Sequence, residues 1–120
     1  MSTRLAKVRE IWTAMGTDTV AGLEVLFEHS HPDCVFIPAT DRKTELRGVA
    51  EAREYLHGLV EAGTKLEMRS NEIEELPDEN RVVVSGDARL HRADGSFADQ
   101  TGIWTYDFDE TDRIIRSVSS

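Results

Sequence analysis

Arg81-Val82-Val83-Val84-Ser85-Gly86-Asp87-Ala88-Arg89-Leu90-His91-Arg92-Ala93-Asp94-Gly95-Ser96-Phe97, followed by Gly102-Ile103-Trp104-Thr105-Tyr106-Asp107-Phe108, reads as two long antiparallel strands, and a third runs toward Ser120 to complete a meander. Ala93-Asp94-Gly95 supplies the first reversal, because Gly accepts the positive φ of a tight turn and Asp tolerates its neighbourhood. Asp109-Glu110-Thr111-Asp112 makes the second reversal without a Gly. Two registers compete for the first hairpin. A two-residue Asp94-Gly95 turn pairs Arg89 with Gln100 and Ser85 with Trp104. A three-residue loop closed by a Gly bulge pairs Arg89 with Asp99, Ala88 with Gln100, Ser85 with Ile103 and Val84 with Trp104. The second register is preferred because a one-residue slip exchanges the two faces of a sheet, and this choice keeps charge out of the core. It turns Val82, Val84, Gly86, Ala88, Leu90, Ala98, Gln100, Gly102, Trp104 and Tyr106 inward, and Asp87, Arg89, His91 and Asp99 outward. Small residues beside two large rings predict a cavity on the inner face.

Working back from the meander, the chain is mainly helical. Leu5, Val8, Ile11, Trp12 and Met15 recur at helical spacing and predict a helix over about residues 3–15, ended by Gly16. Thr17 or Asp18 caps a second helix whose stripe is Val20, Leu23, Leu26 and Phe27, running to about His29 and closed by Pro32. Cys34-Val35-Phe36-Ile37 is a short strand that Pro38 confines to an edge or an end. A polar loop over 39–45 and Arg47-Gly48 precede a third helix, which Gly63 stops. Lys65 to Ser70 alternates as a strand, and the phase is lost over Asn71 to Glu75, which predicts a β-bulge or bend. Leu76 to Asn80 then turns into the meander. Helices first and antiparallel strands afterwards predict an α+β fold in which a curved, mostly antiparallel sheet wraps the helices.

The 120 residues fit a single domain over 1–120, long enough to bury about two-thirds of its unfolded surface. With 39% hydrophobic and 31% charged residues it is a globular rather than a disordered chain. A net charge of −9 argues against a nucleic-acid partner, which needs a basic footprint. The lone Cys34 excludes an internal disulfide and fits a reducing compartment. No apolar run approaches the ~20 residues of a membrane span, and the N-terminal residues do not read as an export signal, so the expectation is a cytoplasmic protein with no membrane partner.

The paired helices, the Phe27 to Pro38 passage, Leu46-Arg47-Gly48 before a helix, and Asp94-Gly95 followed by Gly102-Ile103-Trp104-Thr105-Tyr106 together resemble the SnoaL-like branch of the nuclear transport factor 2-like superfamily. The resemblance covers essentially the whole chain. It implies a cone-shaped α+β barrel of the cystatin-like kind, commonly a homodimer through the outer face of the sheet. Relatives of this kind include ketosteroid isomerases, polyketide cyclases, dehydratases, limonene epoxide hydrolases and proteins that only bind, so fold alone does not select an activity. The ketosteroid isomerase pattern asks for an Asp after the first short strand, a first-helix Tyr and a second Asp on the penultimate strand. Those positions fall on Pro38, on Glu10, Ile11 or Trp12, and on Trp104. The Asp-Arg-Asp set of limonene epoxide hydrolases has its nearest counterpart in Arg89-Leu90-His91, which the preferred register turns outward. Asp87 or His91 enters the pocket, as a polyketide cyclase would require, only in the alternative register.

His29-Ser30-His31-Pro32-Asp33-Cys34 brings metal-ligand residue types together, but no second cluster follows, and a polar turn after a helix accounts for it. Neither a metal nor a cofactor is expected. Cys34 in an apolar strand reads as a small core residue. Arg89 and Asp99 read as a cross-strand ion pair, and Asp41-Arg42-Lys43 as a solvated loop near the cavity mouth. The ligand-binding candidates are Trp12, Phe36 and Trp104 as walls, and Tyr55, Gln100 and Tyr106 as hydrogen-bond donors to a ligand oxygen. No catalytic base is identified. The expected function is that of a small-molecule pocket protein, an isomerase, cyclase or dehydratase acting on an apolar cyclic substrate. The rival is a non-catalytic ligand-binding or dimeric assembly module.

Overall fold

The structure, a computed structural model, describes residues 2–120. Its elements run α1 (Thr3–Thr17), α2 (Thr19–Glu28), β1 (Ser30–Ile37), β2 (Leu46–Arg47), α3 (Val49–Glu61), β3 (Lys65–Leu76), β4 (Arg81–His91), β5 (Phe97–Phe108) and β6 (Ile114–Ser119). The strands form one six-stranded sheet in the order β2-β1-β6-β5-β4-β3, antiparallel except where β1 lies parallel to β6. Among the described residues no helix is long and apolar enough to cross a membrane.

The helical spacing of the sequence places Val8, Ile11, Trp12 and Met15 on the buried side of α1. The Ser2 hydroxyl caps that helix by accepting from the Leu5 N–H at 3.0 Å. The helix continues one residue beyond Gly16, because the Asp18 N–H still reaches the Ala14 carbonyl at 2.9 Å. Asp18 then caps α2 with its carboxylate on the Val20 N–H, at 3.1 Å. Gly48 donates to the Cys34 carbonyl at 2.8 Å and takes φ 95° at the start of α3, which ties the helix to β1.

Pro32 departs from expectation. It lies inside β1, which begins at Ser30. The ladder to β6 is intact at Ser30 and from Val35 onward but broken between them, so the missing N–H of Pro32 falls where no bond is needed. His29-Ser30-His31-Pro32-Asp33-Cys34 is thus mostly strand and not a turn.

The meander adopts the three-residue register: Arg89 opposes Asp99, Ala88 opposes Gln100, Ser85 opposes Ile103 and Val84 opposes Trp104. Gly95 closes the loop at φ 90°, its N–H on the Arg92 carbonyl at 3.0 Å. The phase change in β3 is a bulge at Asn71, where Ser70 opposes Gly86 and Glu72 opposes Ser85. Val82, Val84, Ala88, Trp104 and Tyr106 are buried against Val8, Ile11 and Trp12, and Phe36 and Ile114 complete the core from β1 and β6. Leu90 is only partly buried and Ala98 is exposed, because the β4–β5 hairpin runs past the helices.

Candidate functional site

Two spaces adjoin the sheet, the second lined by residues of both faces, Ala88 and Gln100 on the concave one and Asp87, Arg89 and Asp99 on the convex one. The first is a cavity of about 90 Å³ between α2, α3, β1 and β5, walled by Phe27, Phe36, Pro38, Tyr55, Trp104 and Tyr106 among others. The second is a wide cleft of about 1620 Å³ at the end of α1, the end of α3 and the first half of β3. Met15, Leu56, Leu59, Leu66 and Met68 line both spaces, so their side chains form the partition between them.

The sequence candidates divide between these spaces. Phe36, Tyr55, Trp104 and Tyr106 line the cavity, whereas Trp12 and Gln100 line the cleft. Trp12 stands edge-on to Trp104, with ring centroids 5.0 Å apart, and its indole N–H donates to the Tyr106 hydroxyl at 2.9 Å. Burial raises the Tyr106 pKa above the ordinary phenol value, only partly offset by that hydrogen bond. Tyr55 shares a hydrogen bond of 2.7 Å with Thr40. The Gln100 amide donates to the Ala39 carbonyl at 3.2 Å. Phe36 packs edge-on against Phe27 at 5.6 Å.

The small residues and rings of the inner face mark the free space only in part: Ala88 lines the cleft and Trp104 and Tyr106 line the cavity, whereas neither Gly86 nor Gly102 opens onto either. At Gly86 the space a side chain would take is filled by the Arg69 carbonyl of β3. At Gly102 it is filled by Arg42, Ser120 and the Trp104 ring. The free volume lies further along β5, where the Pro38-Ala39-Thr40 segment spans the mouth between β1 and α3. Thr40 and Ser117 are the polar cavity residues that sequence reasoning missed. Thr40 had no signal beyond membership of a polar loop, and Ser117 followed from the inward phase of β6 opposite Tyr106.

Charged groups lie elsewhere. Among the described residues, no carboxylate, imidazole, amine or guanidinium lines the cavity. Pro38 and Trp104, onto which the ketosteroid isomerase carboxyl positions fall, both line it. Asp87 bonds Asn71 at 3.1 Å and His91 bonds Glu67 at 3.0 Å, on the outer face. Arg89 holds Asp99 through two hydrogen bonds, of 2.7 and 3.0 Å, and the Asp99 carboxyl is lowered by that guanidinium. His29 turns to Glu10 at 2.9 Å while His31 accepts from the Asp33 N–H at 3.0 Å, so the two imidazoles do not converge. Burial pushes the Cys34 thiol up to about 12, which leaves it protonated and unreactive.

No protein-family model matches the sequence, and no curated protein matches it significantly. Solved structures match its fold. A nuclear transport factor 2-like protein of unknown function from Burkholderia pseudomallei is 18% identical, with a TM-score of 0.81 over 100% of this chain and 91% of the other. TerC, crystallised with polyporic acid, is 18% identical at a TM-score of 0.78, over 99% of this chain and 91% of the other. A Mycobacterium tuberculosis protein in complex with estradiol-17β-hemisuccinate is 14% identical at a TM-score of 0.77, over 99% and 93%. Structures named as ketosteroid isomerase, putative polyketide cyclase and epoxide hydrolase share the same fold. The chain has the nuclear transport factor 2-like fold, a fold whose members include both enzymes and binding proteins.

Proposed function

We propose that this chain is a SnoaL-like homodimer that binds a small cyclic, mostly apolar molecule in the cavity beneath the Pro38-Ala39-Thr40 segment, and that it does so without proton-transfer catalysis. The observation that carries this reading is the chemistry of the cavity wall. Aromatic rings at Phe36 and Trp104 face a hydroxyl pair, Thr40 and Tyr55, and no titratable carboxylate or imidazole accompanies them. An isomerase or dehydratase needs a base within hydrogen-bond reach of the proton it removes. Rings on one side and polar tips on the other suit a ligand with an apolar body and an oxygen. The cyclic ligands named for TerC and for the Mycobacterium tuberculosis protein are of this kind.

A volume of about 90 Å³ is below the roughly 300 Å³ at which ligand pockets begin. A ring-sized ligand therefore has to enlarge the cavity by moving the partition toward the cleft. The cleft lining carries Asp18, Glu67, Asp87 and Asp99, so the non-catalytic reading requires the ligand's body to stay on the cavity side of those carboxylates. Met15 and Met68 suit that task, since methionine is unbranched and repacks readily.

Ala52 offers the direct test, because it faces the cavity from α3. Ala52→Leu fills free space and is expected to leave the melting temperature unchanged or higher while abolishing uptake of a bicyclic aromatic probe, read by tryptophan fluorescence. If the variant binds as tightly as the parent, the ligand does not occupy this cavity. Turnover of a bound compound would overturn the non-catalytic part of the reading.

A further inference from the structure

Gly102 lies in the middle of β5, opposite Gly86, and is not among the glycines with positive φ. Its requirement is therefore space. A side-chain carbon there would meet Arg42 Nη2 at 2.8 Å, the Ser120 carbonyl oxygen at 3.1 Å and the Trp104 ring at 3.3 Å. The guanidinium of Arg42 thus rests on the inner face of β5 beside the edge of Trp104. Its Nε donates to the buried Ser119 hydroxyl at 3.4 Å.

Arg42 differs from most arginines of this acidic chain. Arg4, Arg47, Arg53, Arg69, Arg81, Arg89 and Arg113 each have a carboxylate within 4.0 Å, whereas among the described residues Arg42, like Arg9, Arg92 and Arg116, has none. The carboxylate beside it in sequence, Asp41, is committed to the Lys43 N–H and the Thr44 hydroxyl. The two Nη groups of Arg42 are therefore unspent, and the residue is solvent-accessible. The same loop bounds the cavity through Pro38, Ala39 and Thr40, and Arg42 itself stands just outside that lining, beside Gly102 and the Trp104 ring.

We propose that Arg42 is the anion-recognising residue of the site, and that the ligand is an aromatic or alicyclic carboxylate whose ring packs against Trp104 while its carboxylate takes the Nη donors of Arg42. The guanidinium fork matches a carboxylate with two parallel hydrogen bonds, and Gly102 is the strand position whose lack of a side chain lets it lie there. This inference rests on the pocket reading above.

The test compares 2-naphthoate with its neutral counterpart 2-naphthylmethanol, each titrated by tryptophan fluorescence into the parent protein and into Arg42→Gln. Thermal melts establish that the variant is folded. Naphthoate is expected to bind Arg42→Gln about 10- to 100-fold more weakly than the parent, with naphthylmethanol unchanged between the two. Equal naphthoate affinity in parent and variant overturns the role of Arg42 while leaving the pocket reading in place. A parent protein that binds neither compound overturns the pocket reading, and the role of Arg42 falls with it.

Discussion

Trp12 and Tyr106 show how polar groups in an apolar interior decide what a side chain is free to do. Tyr106 is 1% exposed, and its hydroxyl is the partner of the Trp12 indole N–H. Both residues are ligand candidates by sequence, Tyr106 for its hydroxyl and Trp12 as an aromatic wall. The fold gives the indole N–H the Tyr106 oxygen as its acceptor, because an unpaired N–H in the core costs more than the bond gains, and the Tyr106 O–H keeps its own proton to donate. Tyr106→Phe removes the acceptor and leaves the indole N–H unsatisfied. It is expected to lower stability by about 1–3 kcal/mol in urea denaturation, with little effect on uptake of a neutral ring probe. A large loss of uptake at unchanged stability would return Tyr106 to the binding site. Gln100 is similarly engaged, holding the loop by the Ala39 carbonyl.

At the level of elements, the turns carry much of the specification. The β5–β6 reversal lacks glycine, and Asp112 takes φ 60° in its place. Asp109 organises this turn by accepting from the Thr111 N–H at 2.8 Å, the Thr111 hydroxyl at 2.7 Å and the Arg113 N–H at 3.0 Å. Those donors hold its carboxyl down to about 2. A depressed folded value means that the contribution is present above the ordinary carboxylate pKa and is lost as pH falls through about 2. Asp109→Asn mimics the protonated form at every pH. The gap in melting temperature between parent and variant should therefore be widest at neutral pH, shrink below pH ~4 and close near pH ~2. A gap that does not change with pH would place the role of Asp109 outside its charge. The hairpin register was legible for a related reason: only one pairing kept Arg89, Asp87 and Asp99 out of the core. The Pro32 segment was not, because whether a strand needs a given N–H depends on its neighbour, and the break in the β1–β6 ladder has no local signature.

Considered whole, the molecule has two faces with different chemistry. The concave face meets the helices. The convex face carries Phe97, Ile103 and Ile115, which are 54%, 41% and 41% exposed, among charged pairs. Arg89 lies over the Phe97 ring at 4.3 Å, covering part of it. Association of two such faces would remove this apolar surface from water, and a C2 pairing would join like strands to like. Light scattering at micromolar concentration is expected to give twice the mass of the chain, and Ile103→Asp to shift it to the monomer. A monomeric parent would remove the dimer from the proposed function.

The order of elements, the hairpin register and the β3 bulge were set by local chemistry that a linear chain displays: periodicity of 3.6 or 2, a capping Ser or Asp, and a Gly or Asp at a reversal. The position of the cavity was not among these properties. Small side chains on a strand announce space, but what fills that space comes from elsewhere in the chain, and here β3 and Arg42 filled it. Tertiary structure alone decided that the remaining volume lies beneath Pro38, Ala39 and Thr40, that the Trp12 N–H goes to the Tyr106 oxygen, and that one Gln100 amide donor goes to the Ala39 carbonyl, because all three depend on which distant segments meet.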